Sequence, residues 1–503
     1  MANKSERNAS TAHGHAKSHG NGHSKGHGNG HSDDHALRAS FVFAADDGSH
    51  GTEPWVTNGT EAGTHLLLDI NPGFDGSGFY FASPFISGST PFVPTSGGRF
   101  VFEANDGTHG NELWVTNGTA NGTQLLADLA PGSDSSFPFL FAPLGDGLVL
   151  FGTTGGGDPE MGTRYWITDG TADGTREAPQ FESGTRFLGT GDFTPLGDGR
   201  VLFVRASELR IATVDDPGSD LVLSFSQNQF NAALGYVTPL DDGRALFRAD
   251  DGTHGIEPWI TDGTVDGTYQ IADINPGSEG SFVAGFVGIG DGLALFSAFD
   301  FAHGRELWIT DGTKAGTHLV TDINPGIGSN SLLDLVPIGG GRLLFSASDG
   351  VHGDELWVTD GSEAGTMMLR DIYPGPVQAG GPGVPSLGSS FPSNITPLGD
   401  GRALFSAVDP EHGQELWVSD GTPAGTRMVA DLFPGLGSSS PSGIGALGRG
   451  LAAFSADDGT TGREPWITDG TEDGTYRLAD INSGTTGSGA SGYTPLADQA
   501  PIC

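Results

Sequence analysis

Histidines near the N-terminus recur at a spacing that metal chemistry could use. Six of them stand four residues apart among Gly, Ser and Asn: His15, His19, His23, His27, His31 and His35. Neutral imidazoles are good ligands for Zn, Ni or Cu, and a flexible chain can wrap several of them around one ion. Glycine at this density opposes a helix, so residues 1–39 are predicted to form a disordered His/Gly-rich tail. The tail has two interpretations: it binds a metal ion, or it is a pH-responsive leader without a metal site.

Two sets of carboxylates recur further along the chain, and calcium is the ion that would suit them. One set ends an apolar segment, mostly ahead of a Pro-Gly turn: Asp69, Asp128, Asp273, Asp322, Asp371, Asp431 and Asp480. The other opens Asp-Gly-Thr or Asp-Gly-Ser turns: Asp169, Asp262, Asp311, Asp360, Asp420 and Asp469. Turns rich in Asp, Gly and Thr can supply the oxygen ligands that calcium needs. However, Asn58 and Asn117 replace the aspartate in two turns, which favours a purely structural Asx turn over calcium binding.

Six further histidines precede a glycine at equivalent points of a repeat: His50, His109, His254, His303, His352 and His412. Equivalent residues in so many units cannot all be catalytic, so a repeated side-chain network that holds each turn is predicted. The sequence contains no Gly-x-Ser-x-Gly elbow, His-Glu-x-x-His or Walker loop. The 62 acidic residues nevertheless leave open a pair of converging carboxylates of the kind that glycosidases use.

An internal repeat of roughly 50 residues must position all these groups. Each of the eight tryptophans follows a Glu-Leu, Glu-Pro or Arg-Tyr pair, and intervals of 49 residues separate Trp259, Trp308 and Trp357. The interval from Trp166 to Trp259 is 93 residues, and Glu208-Leu209-Arg210-Ile211 aligns within it, with Arg210 at the tryptophan position. The repeat is therefore predicted to occur nine times.

Each unit contains four short apolar segments separated by Asp-Gly or Gly-rich turns. In residues 393–433 these segments are 394–398, 402–407, 415–419 and 426–432, and their connections have the composition of hairpin turns. The chain contains 84 Gly residues, and no segment has the 3.6-residue periodicity of a helix. Four antiparallel strands in each unit indicate the blade of a β-propeller.

The two ends of the repeat region indicate how the ring closes. The first unit begins at Ser40 with what should be a second strand, and a matching first strand occurs only at residues 492–497. A C-terminal strand that completes the first blade would cover both sheet edges. Residues 40–503 are therefore predicted to form an all-β, closed propeller of nine four-stranded blades.

Charge and cysteine content narrow the classes of function. The formal net charge is −39, which disfavours nucleic acid and anionic lipid as partners. The single cysteine, Cys503, excludes an internal disulfide and a CxxC metal site. No apolar run is long enough to span a bilayer, and no Sec signal is recognisable at the N-terminus. An extracellular or cell-surface location would need another export route, and a cytoplasmic location stays open.

The string Glu-Leu-Trp-x-x-Asp-Gly-Thr-x-x-Gly-Thr resembles the repeat of the bacterial ELWxxDGT family, whose members are often called hyalin-like. The resemblance covers residues 40–497, with departures at Arg164-Tyr165-Trp166, at the unit around Arg210 and in three Glu-Pro-Trp units. The resemblance implies a large repeat protein, mostly of extracytoplasmic location, and it implies no particular activity.

Two insertions suggest where a ligand would bind. They fall in the same connection between blades, at roughly 74–92 and 376–392, and the first is aromatic: Phe74, Phe79, Tyr80, Phe81, Phe85 and Phe92. Aromatic loops are common at binding sites, although passive loop growth is an equal interpretation. The sequence thus favours a non-catalytic, secreted or surface-bound adhesion propeller for a glycan, matrix or protein ligand, with calcium as a stabilising ion. A propeller-type polysaccharide hydrolase or lyase is the alternative.

Overall fold

The computed structural model describes residues 40–78, 91–154, 163–181, 193–205, 208–216, 218–224, 234–327, 332–375 and 388–496. Within these ranges the strands form nine four-stranded antiparallel sheets, arranged as the blades of a β-propeller. The prediction of fold class and blade number is confirmed. The predicted tail, residues 1–39, and its histidines lie outside the described residues.

Each blade has an inner, a second, a third and an outer strand, in that order across the sheet. Blade 1 contains β1 (Phe41–Asp46), β2 (Thr52–Thr57) and β3 (His65–Leu66), with β36 (Ser491–Pro495) as its inner strand. Blade 2 contains β4 (Val93–Pro94), β5 (Phe100–Asn105), β6 (Asn111–Thr116) and β7 (Gln124–Ala127). Blade 3 contains β8 (Phe139–Gly145), β9 (Leu148–Thr153), β10 (Arg164–Thr168) and β11 (Arg176–Glu177). Blade 4 contains β12 (Phe193–Pro195), β13 (Arg200–Arg205), β14 (Glu208–Thr213) and β15 (Ser219–Ser224). Blade 5 contains β16 (Gly235–Pro239), β17 (Ala245–Asp250), β18 (Ile256–Thr261) and β19 (Tyr269–Gln270).

The remaining blades follow the same order. Blade 6 contains β20 (Ala284–Gly290), β21 (Leu293–Asp300), β22 (Gly304–Thr310) and β23 (His318–Thr321). Blade 7 contains β24 (Leu333–Gly339), β25 (Arg342–Ser348), β26 (Asp354–Thr359) and β27 (Met367–Arg370). Blade 8 contains β28 (Ser393–Pro397), β29 (Ala403–Asp409), β30 (Gly413–Ser419) and β31 (Arg427–Ala430). Blade 9 contains β32 (Ser442–Gly448), β33 (Leu451–Asp457), β34 (Arg463–Thr468) and β35 (Tyr476–Arg477). Within the described ranges, three short 3₁₀ turns lie at Ser96–Gly98, Ala120–Gly122 and Pro179–Phe181.

The hydrophobic core lies between blades, because both faces of each sheet are covered by a neighbour. Successive side chains of a strand point to opposite faces. In β1, Phe41 and Phe43 therefore pack with residues of blade 9, whereas Val42 and Ala44 pack with residues of blade 2. All four side chains are fully buried. This explains why second strands are apolar at nearly every position rather than alternating.

The Glu-Pro-Trp and Glu-Leu-Trp units differ in the length of their outer strands. Proline has no backbone N–H to donate to a ladder. The outer strands opposite Pro54, Pro258 and Pro465 have two residues, β3, β19 and β35. Where leucine stands at this position, as in blades 6 and 7, the outer strand has four residues. The proline copies therefore shorten the sheet at its outer edge.

The ring closes between the two ends of the chain, as the split first unit predicted. Strand β36 pairs antiparallel with β1, and the Leu496 N–H donates to the Ser40 carbonyl at 2.9 Å. Tyr493 is 2% exposed and packs against Phe41 and Phe43. The Tyr476 hydroxyl also donates to the Gly59 carbonyl of blade 1, at 3.0 Å.

The unit without tryptophan folds as blade 4. The Arg210 guanidinium donates from Nε to the Ser219 hydroxyl at 3.1 Å and from Nη2 to the Ser219 carbonyl at 3.0 Å. Its Nη1 lies 2.8 Å from the Glu208 carboxylate. Arginine thus replaces the packing of the missing indole with hydrogen bonds to the outer strand, and the unit keeps four strands.

Candidate functional site

Each blade presents loops at two ends. One end carries the hairpin between the second and third strands and the connection to the next inner strand, and it is called the loop face below. The other end carries the two remaining hairpins. There, Arg200, Arg342 and Arg402 each donate through Nη1 to the carbonyl of an Asp-Gly turn in the next blade, at 2.8–2.9 Å. That end is built from groups that brace neighbouring blades.

The Asp-Gly-Thr carboxylates belong to structural turns. Asp311 Oδ1 accepts hydrogen bonds from the Thr313 N–H at 2.8 Å and from the Thr313 hydroxyl at 2.7 Å. Asn58 accepts the same two bonds from Thr60, at 3.1 and 2.7 Å, so the amide oxygen replaces the carboxylate oxygen in the turn. The hydroxyl hydrogen bond holds the pKa of Asp311 below its ordinary value. These contacts agree with the Asx-turn interpretation.

The glutamate of each Glu-Leu-Trp or Glu-Pro-Trp unit has a role that sequence reasoning missed. Seven of these side chains are fully buried: Glu53, Glu112, Glu257, Glu306, Glu355, Glu415 and Glu464. Glu355 accepts hydrogen bonds from the backbone N–H groups of Ile372, Tyr373 and Ser390, and from the Ser390 hydroxyl at 2.6 Å. Burial raises the pKa of Glu355 to about 7, although these donors lower it in part. The glutamate thus ties the third strand to the connection that leads to the next blade.

The six hairpin histidines each pair with an aspartate of their own hairpin. His50 Nδ1 lies 2.8 Å from Asp47 Oδ2, and the other five pairs have distances of 2.7–2.9 Å. The hydrogen bond that His50 donates to the Asp47 carboxylate raises the pKa of His50. Burial alone would raise the pKa of Asp47, but its bonds with His50 hold it below the ordinary value. The pairs are local braces of one hairpin each, which fits the structural network expected of them.

Blade 9 has a threonine, Thr461, at the histidine position. Arg477 reaches across from the outer strand and donates to Asp458 Oδ2 at 3.0 Å and to the Thr461 hydroxyl at 2.6 Å. In blade 9, Arg477 thus takes the role of the histidine as the side-chain partner of the hairpin aspartate.

The aspartates at the outer-strand ends, predicted as calcium ligands, differ in their burial. Asp69, Asp322, Asp371 and Asp431 are half-buried, and Oδ1 of each is buried without a hydrogen-bond partner among the residues described. Asp128, Asp273 and Asp480 are exposed. No three His, Cys, Asp or Glu side chains come together as a metal-binding group within the described ranges. Calcium in the repeats stays a prediction.

Of the aromatic residues predicted to bind a ligand, two can be located. Phe74 is 82% exposed in the connection between blades 1 and 2. Phe92 is fully buried and packs on Phe102, with the ring centroids 5.1 Å apart. Its assignment to a ligand surface was wrong, because it begins the hydrophobic core of blade 2. Phe79, Tyr80, Phe81 and Phe85 lie outside the described residues.

A different set of aromatics lies on the loop face, where the chain approaches each inner strand. Phe137, Phe282 and Phe391 are 45%, 46% and 50% exposed. Each follows a buried serine that hydrogen-bonds the buried glutamate, as Ser390 does with Glu355. All three have a left-handed backbone, with φ of 46°, 49° and 47°. Together they are called the rim phenylalanines below. A Ser-Phe pair ahead of three inner strands was the sequence signal for them.

Further apolar side chains are exposed in the same connections and hairpins. Phe74, Ile327 and Leu436, each directly after a Pro-Gly pair, are 82%, 75% and 79% exposed. Phe301 and Val351 lie in hairpins of blades 6 and 7 and are 64% and 59% exposed. Large exposed apolar groups gathered on one side of a protein are a sign of an interaction surface. The loop face is therefore the candidate binding surface.

No protein-family model matches the chain, and no curated protein matches it. A solved puromycin hydrolase matches 69% of this chain over 54% of its own length, with 16% identity and a TM-score of 0.39. A structure from an analysis of two prolyl endopeptidases matches 78% of this chain over 55% of its own length, with 13% identity and a TM-score of 0.40. Dipeptidyl peptidase 4 from Porphyromonas gingivalis matches 80% of this chain over 59% of its own length, with 10% identity and a TM-score of 0.49. The chain thus spans less than two thirds of these proteins.

These comparisons correct the predicted function. Solved structures similar to this chain include a hydrolase and peptidases, which contradicts a non-catalytic adhesion propeller, and adhesion is withdrawn. At these identities and TM-scores the likeness assigns no activity to this chain. The ELWxxDGT resemblance stays a prediction. Among the residues described, no helix has the length and apolar character of a membrane span.

Proposed function

We propose that this chain is a peptide-recognising propeller that works in peptide hydrolysis, and that it holds its substrate on the loop face. The observation that carries the proposal is the strained conformation of the exposed rim phenylalanines. The equivalent positions of other blades are Gly78, Ser440 and Gly489, with φ of 61°, 46° and 59°. The fold therefore requires a left-handed residue here, and glycine meets that requirement without strain.

Phenylalanine at such a position costs about 1–2 kcal/mol relative to a residue that favours the left-handed region. Packing does not explain this cost, because each of the three residues is 45–50% exposed. A strained, exposed aromatic repeated in three blades is better explained by contact with a ligand.

The exposed apolar side chains of the loop face support a peptide as the ligand. Besides the rim phenylalanines, Phe301, Ile327, Val351 and Leu436 are exposed in the connections and hairpins of this face. Such side chains suit the apolar residues of a peptide, whose burial contributes about 25 cal/mol per Å². Peptide hydrolysis is the activity named for two of the proteins with a similar fold, and it is the reaction to be tested here.

The test measures binding and cleavage of short fluorescent peptides that carry Phe, Leu or Val. The key variant combines Phe137→Asn, Phe282→Asn and Phe391→Asn, because asparagine tolerates the left-handed region. Val265→Asn is the matched control, since Val265 is 66% exposed in a hairpin at the opposite end of blade 5.

We expect the wild type and the control to bind the peptides equally, and the triple variant to lose at least tenfold in affinity. Mass spectrometry of the same mixtures reports cleavage. Equal peptide binding by the triple variant would overturn the assignment of the loop face. Absence of any peptide binding or cleavage by the wild type would overturn the function.

A further inference from the structure

Two arginines from neighbouring blades converge on one short segment of the loop face. Arg305, in β22, donates through Nη1 to the Phe282 carbonyl at 3.0 Å and to the Ser297 hydroxyl at 3.1 Å. Arg248, in β17, donates through Nη1 to the Val283 carbonyl at 3.4 Å. The two guanidinium groups therefore bind consecutive backbone carbonyls, those of rim residue Phe282 and of Val283.

Neither guanidinium has a carboxylate at ion-pair distance among the residues described. Arg200, Arg244 and Arg402, by contrast, each have an aspartate two residues earlier at 2.5–2.7 Å. Nε of Arg248 is buried and has no hydrogen-bond partner in the described structure. In a chain with 62 acidic and only 23 basic residues, two adjacent arginines without an acid are unexpected.

The surroundings make this arrangement unfavourable without a ligand. Burial lowers the pKa of Arg248, and burial followed by the charge of Arg248 lowers the pKa of Arg305. The Arg248 guanidinium lies over the Tyr236 ring, 4.2 Å from its centroid, which offsets only part of the desolvation. An unpaired, partly buried charge is stabilised by an anion that accepts its remaining N–H groups.

The fold itself does not need these two arginines. The position of Arg248 in the repeat is occupied by Ser297, Ser346, Ser406 and Ser455 in blades 6 to 9. The position of Arg305 is occupied by Gln414 in blade 8, where Nε2 reaches the Ser406 hydroxyl at 3.3 Å. In blade 9 that position is Arg463, which donates to the Ser440 carbonyl. Arginine at the Arg248 position occurs in blade 5 and in no other unit of the sequence.

We infer that Arg248, Arg305 and Tyr236 form a carboxylate-binding site for the C-terminal carboxylate of a peptide whose last side chain packs on Phe282. Guanidinium groups bind the two oxygens of a carboxylate through paired N–H donors. Phe282, 46% exposed, supplies an apolar contact beside them. The strongly negative chain repels a dianion more than a monoanion, which favours a carboxylate over a phosphate group. The inference deepens the proposed function and rests on it for the peptide.

The experiment uses the full chain and two small probes, N-acetylphenylalanine and its C-terminal amide, in calorimetric titrations. Arg248→Ser and Arg305→Gln each install a residue that the repeat already accommodates. Arg176→Gln is the control, because that side chain is 46% exposed and pairs with an exposed aspartate. We expect the acid to bind at least tenfold more tightly than the amide, and each of the two variants, but not the control, to remove this preference.

Equal affinity for acid and amide would overturn the site, as would unchanged affinity in both variants. Inorganic phosphate that displaces the acid at a lower concentration than acetate would also overturn it in favour of a phosphate site. Failure of the site and failure of the proposed function are distinguishable. Peptide binding that depends on the rim phenylalanines but not on a free carboxylate leaves the function standing without the site. Acid binding that depends on the arginines, without any binding of longer peptides, leaves the site standing without the function.

Discussion

Closure of the ring through β36 makes the contribution of Tyr493 measurable. Tyr493→Ala removes a side chain that is 2% exposed, with ring centroids 5.9 Å from Phe41 and 5.6 Å from Phe43. Replacing a buried aromatic by alanine lowers the free energy of unfolding by about 3–5 kcal/mol. Tyr493→Phe removes only the hydroxyl that lies 2.9 Å from the Ser455 hydroxyl, which contributes about 1 kcal/mol. Urea unfolding followed by tryptophan fluorescence measures both changes.

Phe286→Ala separates loss of core from loss of closure. Phe286 is 5% exposed and occupies the same position in the inner strand of blade 6, where the chain runs on without a break. Both alanine variants should lose similar stability. Only Tyr493→Ala should also speed hydrogen exchange of the β1 amides, because β36 then frays from its partner. Two results would refute the reasoning. One is a free energy of unfolding of Tyr493→Ala within about 1 kcal/mol of the wild-type value. The other is equal hydrogen-exchange protection of the β1 amides in the two alanine variants.

Three further outcomes follow from the repeated side chains. Glu355→Ala should destabilise the chain by roughly 1–3 kcal/mol, because it leaves buried N–H donors of Ile372 and Ser390 unpaired, whereas Glu363→Ala at an exposed position should change the urea midpoint little. Asp360→Asn should be nearly neutral in thermal unfolding, since Asn58 and Asn117 make the same turn, whereas Asp360→Ala should cost about 1 kcal/mol. Thermal stability should fall as the pH rises through about 7, because the buried glutamates and the paired histidines have raised pKa values and stabilise the fold while protonated. It should fall again as the pH drops below 3.8, where aspartates with lowered pKa values become protonated; a stability maximum above pH 8 would contradict this assignment.

The sequence was sufficient for the architecture because every blade repeats the same local signals. Spacing of the tryptophans, hairpin turns and the unpaired first unit predicted nine blades and their closure. The segments predicted at 415–419 and 426–432 correspond to Gly413–Ser419 and Arg427–Ala430. Such boundary shifts arise because hydrogen-bond partners, rather than hydrophobic pattern, set where pairing ends.

The sequence predicted the surface side chains less well than the architecture, because the burial of a side chain depends on segments far from it in sequence. Glu355 recurs in the repeat as an ordinary charged residue, and its burial depends on donors 17–35 residues later. Phe92 was mistaken for a surface aromatic, since nothing in the insertion marks where the core of blade 2 begins. Arg248 and Arg305 come together only through the packing of blades 5 and 6, so no spacing rule could have paired them.

A crystal structure of the chain with a bound short apolar peptide tests the central claim most directly. The account predicts peptide side chains in van der Waals contact with Phe137, Phe282 or Phe391 on the loop face, with their backbone still left-handed. A peptide bound instead among the Asp-Gly-Thr turns at the opposite end would contradict it.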